Sequence, residues 1–104
     1  MNKTQLQKTI RAYIKKIKNE GIPVGQVFIF GSQVKGSAHL GSDIDTCIVS
    51  PAFGKDRQRE RILLMNLREG VSDLIEPHPY SEIDFQNSFD PLIRQIKETG
   101  IRVV

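Results

Sequence analysis

A small mixed β-sheet flanked by helices, an α/β or α+β arrangement, is the fold class the sequence predicts, and three observations carry it. Leu6, Ile10, Tyr13, Ile14 and Ile17 recur at helical spacing. Residues 27–30 read Val-Phe-Ile-Phe, a short apolar run of β-branched and aromatic residues suited to a strand covered on both faces. Helical and strand-like stretches then alternate along the chain, which places helices over a sheet.

The first helix is amphipathic, with Lys8, Arg11, Lys15, Lys16 and Lys18 mostly between its apolar positions and Gly21 and Pro23 closing it. A strand over Gln26 to Phe30 ends abruptly at Gly31. GSQVKGSAHLGS reads as a glycine- and serine-rich turn region, and Asp43 to Val49 alternates before turning apolar, as a second strand does. Pro51 and Gly54 break the chain; Asp56 to Glu69, with Ile62, Leu63, Met65 and Leu67 among many charges, predicts a helix stopped at Gly70. Val71 to Glu76 predicts a third short strand, terminated by Pro77-His78-Pro79. Ser81 with Asp84 three residues on suits a capped helical turn, and Asp90-Pro91 starts a last helix whose apolar side is Leu92, Ile93 and Ile96. Gly100 closes it and leaves residues 101–104 as a candidate final strand.

The 104 residues, 38% hydrophobic and 26% charged, fit one soluble globular domain spanning 1–104. A single cysteine, Cys47, excludes an internal disulfide and a cysteine zinc cluster, and suits the reducing cytoplasm. The N-terminal MNKTQLQKTIRAYIKK has no apolar core for a secretory signal, and no run approaches the ~20 apolar residues of a membrane span, so no membrane association is expected. A net charge of +3 and a pI near 9.2 suit phosphate-bearing partners, but the solvated faces of helices account for them too and are the preferred reading. The basic residues alternate with apolar ones and no aromatic stacking array accompanies them, so nucleic acid is not the favoured partner.

The chemistry concentrates in Gly31-Ser32, ten intervening residues, and Asp43-Ile44-Asp45. Gly31 lets the backbone turn and approach a ligand closely, while the Ser32 hydroxyl and nearby N–H groups can bond phosphate oxygens. Asp43 and Asp45, two apart on a strand, point to one face, with Ile44 directed into the core. Two carboxylates so close repel unless a cation neutralises them, and magnesium, taking one or two carboxylates plus substrate phosphates, is the natural occupant. The pattern calls for Mg-ATP or a related nucleoside triphosphate (NTP). Gly31 to Gly36 also has P-loop glycine spacing, but Ser37-Ala38 replaces the required Lys-Ser/Thr.

GSQVKGSAHLGSDIDTCIV, within residues 24–50, resembles the signature of the DNA polymerase beta superfamily, and the chain is similar to its minimal nucleotidyltransferase (MNT) members, relatives of kanamycin nucleotidyltransferase. The resemblance implies a polymerase beta-like fold, a triphosphate held at Gly31 and Ser32, metal at Asp43 and Asp45, and a third carboxylate on a later strand that completes a two-metal Mg2+ site. Glu76 and Asp73 compete for that role: three apart on the predicted third strand, they face opposite ways. Glu76 is preferred because it ends an apolar Leu-Ile pair and is fixed by Pro77, although Asp73-Leu74-Ile75 imitates the family pattern of an Asp followed by two apolar residues.

Lys35, Gly36 and Ser42 join Gly31 and Ser32 in the expected nucleotide cradle, a solvated loop lysine being the ordinary alternative for Lys35. His39 reads as a surface loop residue, His78 as part of a rigid strand exit in preference to a side chain that approaches a metal, and Cys47 as an inert buried thiol. The resemblance implies transfer of a nucleoside monophosphate, AMP from ATP, to a hydroxyl acceptor. It also implies a small all-helical partner protein, as in MNT-type antitoxins that adenylylate a helical toxin. The competing class is a nucleotide-binding or partner-docking module that keeps the pocket with weak or no turnover.

Overall fold

The computed structural model describes residues 1–36, 38 and 41–104; the expectation for His39 lies outside them. Helix α1 (Lys3–Asn19) starts in a capping box, with Asn2 Oδ1 accepting from the Gln5 N–H at 2.8 Å and the Gln5 side chain accepting from the Asn2 N–H at 3.1 Å. Its buried side is the predicted one: Leu6, Ile10, Tyr13, Ile14 and Ile17. Strand β1 (Gln26–Phe30) leads into a one-turn helix α2 (Ser32–Lys35), which the glycine- and serine-rich composition concealed. β2 (Ile44–Val49) follows, then α3 (Arg57–Leu67), capped by Asp56, whose carboxylate accepts from the Arg59 N–H at 3.1 Å. α3 buries Leu64 and Leu67 and exposes Ile62 and Leu63.

The third strand differs from expectation. Residues 71–74 form the turn after α3, with Val71 and Ser72 N–H groups both bonding the Arg68 carbonyl, and β3 is Ile75–Tyr80, running through both prolines. Its position explains the tolerance. The sheet order is β3-β2-β1-β4, so β3 is an edge. The Leu74 carbonyl accepts from Ile44 and the Tyr80 carbonyl from Ser50, so the even-numbered residues turn their main-chain groups toward β2. Pro77 and Pro79 therefore present their missing N–H groups to the outer edge, where no ladder bond is lost. Arg68 takes the outer carbonyls of Asp73 and Ile75, each at 2.9 Å.

A 3-10 turn (Asp84–Gln86) and α4 (Pro91–Thr99) follow, α4 being capped by Asp90 with Pro91 opening it, and β4 (Ile101–Arg102) pairs antiparallel with β1. β1 pairs antiparallel with β2, and β2 pairs parallel with β3 through the α3 crossover. The mixed four-stranded sheet is packed on both faces. Val27, Ile29, Ile44, Ile48 and Ile75 meet α1 and α3; Phe30, Cys47, Val49 and Tyr80 meet Phe85 and α4. No helix among the described residues is long and apolar enough to cross a membrane.

Candidate functional site

The α4 face of the sheet is divided along its length. At one end Val49, Tyr80, Phe85 and Ile93 form a closed apolar cluster. At the other, where β1 ends and β2 and β3 begin, the same alternation brings out polar side chains. Phe30, Asp45 and Glu76 are successive register partners across the three strands, so Asp45 and Glu76 stand side by side on one face. Both are half-buried. Asp43, immediately before β2, is exposed, and Asp73 lies two residues ahead of β3, also exposed.

Gly31 sits at the end of β1 against this pair. Its φ of 78° and ψ of −147° lie where side-chain-bearing residues rarely go, and a Cβ there would overlap Asp45 Oδ2. Backbone and carboxylate thus approach as closely as a glycine allows. Ser32 opens α2, where the Val34 and Lys35 N–H groups close onto the Gly31 carbonyl, so the amides of residues 32 and 33 head the turn. Gly36 ends it in the left-handed region, with Lys35 exposed beside it. Gln33 Nε2 donates to the Ser42 carbonyl at 3.4 Å and so joins the turn to the approach to β2.

Two residues enter the site that the preferred reading of the sequence left outside it. His78, expected in the strand exit, is in β3, and its Nε2 lies 3.4 Å from Asp45 Oδ1, with its ring 5.1 Å from that of Phe30. Burial lowers the imidazole's pKa below its ordinary value, and Asp45 opposes the shift. Arg61, on α3, makes an ion pair with Glu76. The signal for His78 was its two-residue spacing from Glu76, hidden by the prolines; Arg61 carried none beyond membership of a charged helix. Cys47, two residues on from Asp45, is fully buried and burial pushes its thiol up to about 12, which keeps it inert.

Among the described residues no three Asp, Glu, His or Cys side chains converge closely enough to hold a metal ion. Glu76 is turned to Arg61, Asp45 lies beside His78, and Asp43 points to solvent. The donor chemistry nevertheless suits magnesium: Asp45 against Gly31, with Glu76 as its register neighbour, offers the hard carboxylate oxygens that ion takes, one or two at a time beside substrate phosphates.

Residues 8–103 match the family described as the nucleotidyltransferase domain. Among solved structures, the chain is similar to a toxin–antitoxin complex with AMP-PNP, at 22% identity and a TM-score of 0.67 over 90% of this chain and 71% of that one. It is also similar to a mutant of the toxin–antitoxin pair MntA-HpeT, at 18% identity and 0.67 over 100% and 73%. A third likeness is to a nucleotidyltransferase-like protein of Sulfolobus solfataricus, at 17% identity and 0.56 over 98% and 87%. These likenesses extend over the whole fold. No curated protein matches the chain.

Proposed function

Since the chain belongs to the nucleotidyltransferase domain family, we propose that residues 1–104 act as one domain that transfers AMP from ATP to a hydroxyl on a partner protein. The observation that carries this reading is the placement of Asp45 and Glu76 as register neighbours, with Gly31 pressed against Asp45. Gly31, Ser32, Lys35, Gly36 and Ser42 form the nucleotide cradle. Asp43, Asp45 and Glu76 would hold two magnesium ions, with Glu76 preferred to Asp73 because it stands beside Asp45 across the β2–β3 pairing. Magnesium, when bound, neutralises the carboxylates and polarises the phosphate under attack.

The chain's own groups do the rest. The amides of residues 32 and 33 and the Ser32 hydroxyl orient the triphosphate. The acceptor oxygen bonds to the α-phosphorus, the bond from that phosphorus to the bridging oxygen breaks, and pyrophosphate leaves with the electron pair. Glu76, on the side away from the cradle, receives the hydroxyl proton. Release of Glu76 from Arg61 is a condition of activity. The toxin–antitoxin assemblies among the structural likenesses support a partner protein as acceptor, and we take it to be small and helical. The lone buried Cys47 suits a cytoplasmic setting.

A second reading, nucleotide binding without turnover, is favoured by one observation, the Arg61–Glu76 ion pair. Calorimetric titration of ATP with magnesium into wild type and Asp43→Ala/Asp45→Ala, followed by a pyrophosphate assay with candidate partners, separates the two. Transfer predicts binding lost in the variant and pyrophosphate released by wild type alone. Binding that needs the aspartates yet never yields pyrophosphate supports the second reading, and absence of magnesium-dependent binding overturns both.

A further inference from the structure

A recess of about 440 Å³ opens at the outer edge of β3, between that strand and the first half of α3. Arg57, Gln58 and Arg61 form one wall, and Pro77, His78 and Pro79 form the other. Arg57 and Arg61 are four residues apart on a helix, so both lean over the same space. Each guanidinium is held from behind. That of Arg57 stacks 4.3 Å from the centroid of the Tyr80 ring, and that of Arg61 is tied to Glu76.

The acidic groups nearest in sequence are engaged elsewhere. Asp56 accepts from the Arg59 N–H and lies 3.9 Å from its side chain, while Glu60 accepts from the N–H groups of Gly54, Lys55 and Asp56. Among the described residues Arg57 therefore pairs with no carboxylate, and no acidic side chain lines the recess. Paired guanidinium groups are the protein's planar, multi-donor match to a phosphate or carboxylate. The size is that of a side chain or small molecule.

Position gives the recess its role. Across the sheet the order runs Gly31 on β1, Asp45 on β2, Glu76 on β3, then the recess. It is joined to the carboxylates by two of its own walls, Arg61 on Glu76 and His78 on Asp45. A triphosphate in the Gly31-Ser32 cradle approaches from the β1 side, which leaves the β3 side for the acceptor.

We propose that the recess is an oxyanion subsite for the acceptor, in which Arg57 and Arg61 grip a phosphate or carboxylate carried close to the hydroxyl that is modified. This rests on the nucleotidyl-transfer reading, since only that reading supplies an acceptor. Occupation draws the Arg61 guanidinium toward the incoming anion and frees Glu76 for its work, so acceptor binding and release of the third carboxylate are one event.

The test follows the side-chain Nε–Hε NMR resonances of Arg57 and Arg61 in full-length protein as inorganic phosphate, O-phosphoserine or glutarate is added, with ATP binding measured on the same samples. Saturable movement of both signals is expected, with the phosphate probes or glutarate binding tighter according to which anion the acceptor carries. Arg57→Gln, at an exposed position, should weaken the probe at least about tenfold, the loss expected for one charged hydrogen-bonding partner. Asp43→Ala/Asp45→Ala should lose ATP and keep the probe. No saturable shift with any of the three, or equal affinity in Arg57→Gln, overturns the subsite while leaving ATP binding to stand. Probe binding without any ATP binding overturns the transfer reading, and the assignment to an acceptor with it.

Discussion

Gly31 answers two demands at once: a backbone conformation rarely open to other residues, and a neighbour, Asp45 Oδ2, standing where a side chain would begin. Gly31→Ala should lose about 1–3 kcal/mol of stability from the strained backbone, and should also displace Asp45. Urea unfolding and ATP calorimetry then both register the change, whereas a mere turn glycine would move the first alone. A Gly-Ser pair by itself is most often a turn; this one stood out because it ends an apolar strand and is followed, ten residues on, by Asp43-Ile44-Asp45. His78 was not, since a histidine between prolines reads as a chain exit until the strand is known to be an edge. Arg61 was not legible because nothing local distinguishes the arginine that meets Glu76 from Arg59, which pairs with its own helix cap.

The seam between helices α1 and α3 is apolar at its centre and is crossed there by the Tyr13 hydroxyl, which donates to the Leu64 carbonyl at 2.6 Å, while Lys16 reaches the Glu69 carbonyl just beyond α3. The Arg68 N–H bonds Met65 instead, at 3.3 Å, so Tyr13 completes the last turn of α3. Tyr13→Phe should cost about 1–2 kcal/mol, the price of leaving a buried acceptor unmade. Burial also raises the pKa of the Tyr13 phenol above its ordinary 10.0. The folded protein keeps that proton longer than the unfolded chain, so the stability is fully present below pH 10.0 and lost as pH rises beyond it. Denaturation midpoints measured from pH 8 upward should fall less steeply in Tyr13→Phe, the remainder of the loss belonging to Tyr80 and Cys47, whose pKa values are also raised. Elements whose signals are local, α1, β1, β2, α3 and α4, were readable from period and caps. β3 was placed early because proline rules depend on whether a strand is central or at an edge, which is a property of the assembled sheet.

Across the molecule, the sheet separates stability from chemistry by face and by end. Ile48→Ala, on the α1/α3 face and fully buried, should cost about 2–5 kcal/mol and leave the site residues in place. Glu76→Gln, at a partly exposed ion pair, should change stability by no more than about 1 kcal/mol and abolish pyrophosphate release. Thermal denaturation beside the pyrophosphate assay reads both, and a Glu76→Gln protein with full turnover would remove that residue from the chemistry. Because Asp45 and Glu76 owe their facing to strand alternation, inserting or deleting one residue within β2 or β3 would exchange them for Ile44 and Ile75, turning carboxylates into the apolar core. A single-residue insertion or deletion is therefore better absorbed in a connection such as 50–56, which carries no strand alternation, than inside β2 or β3, where the spacing has to stay fixed.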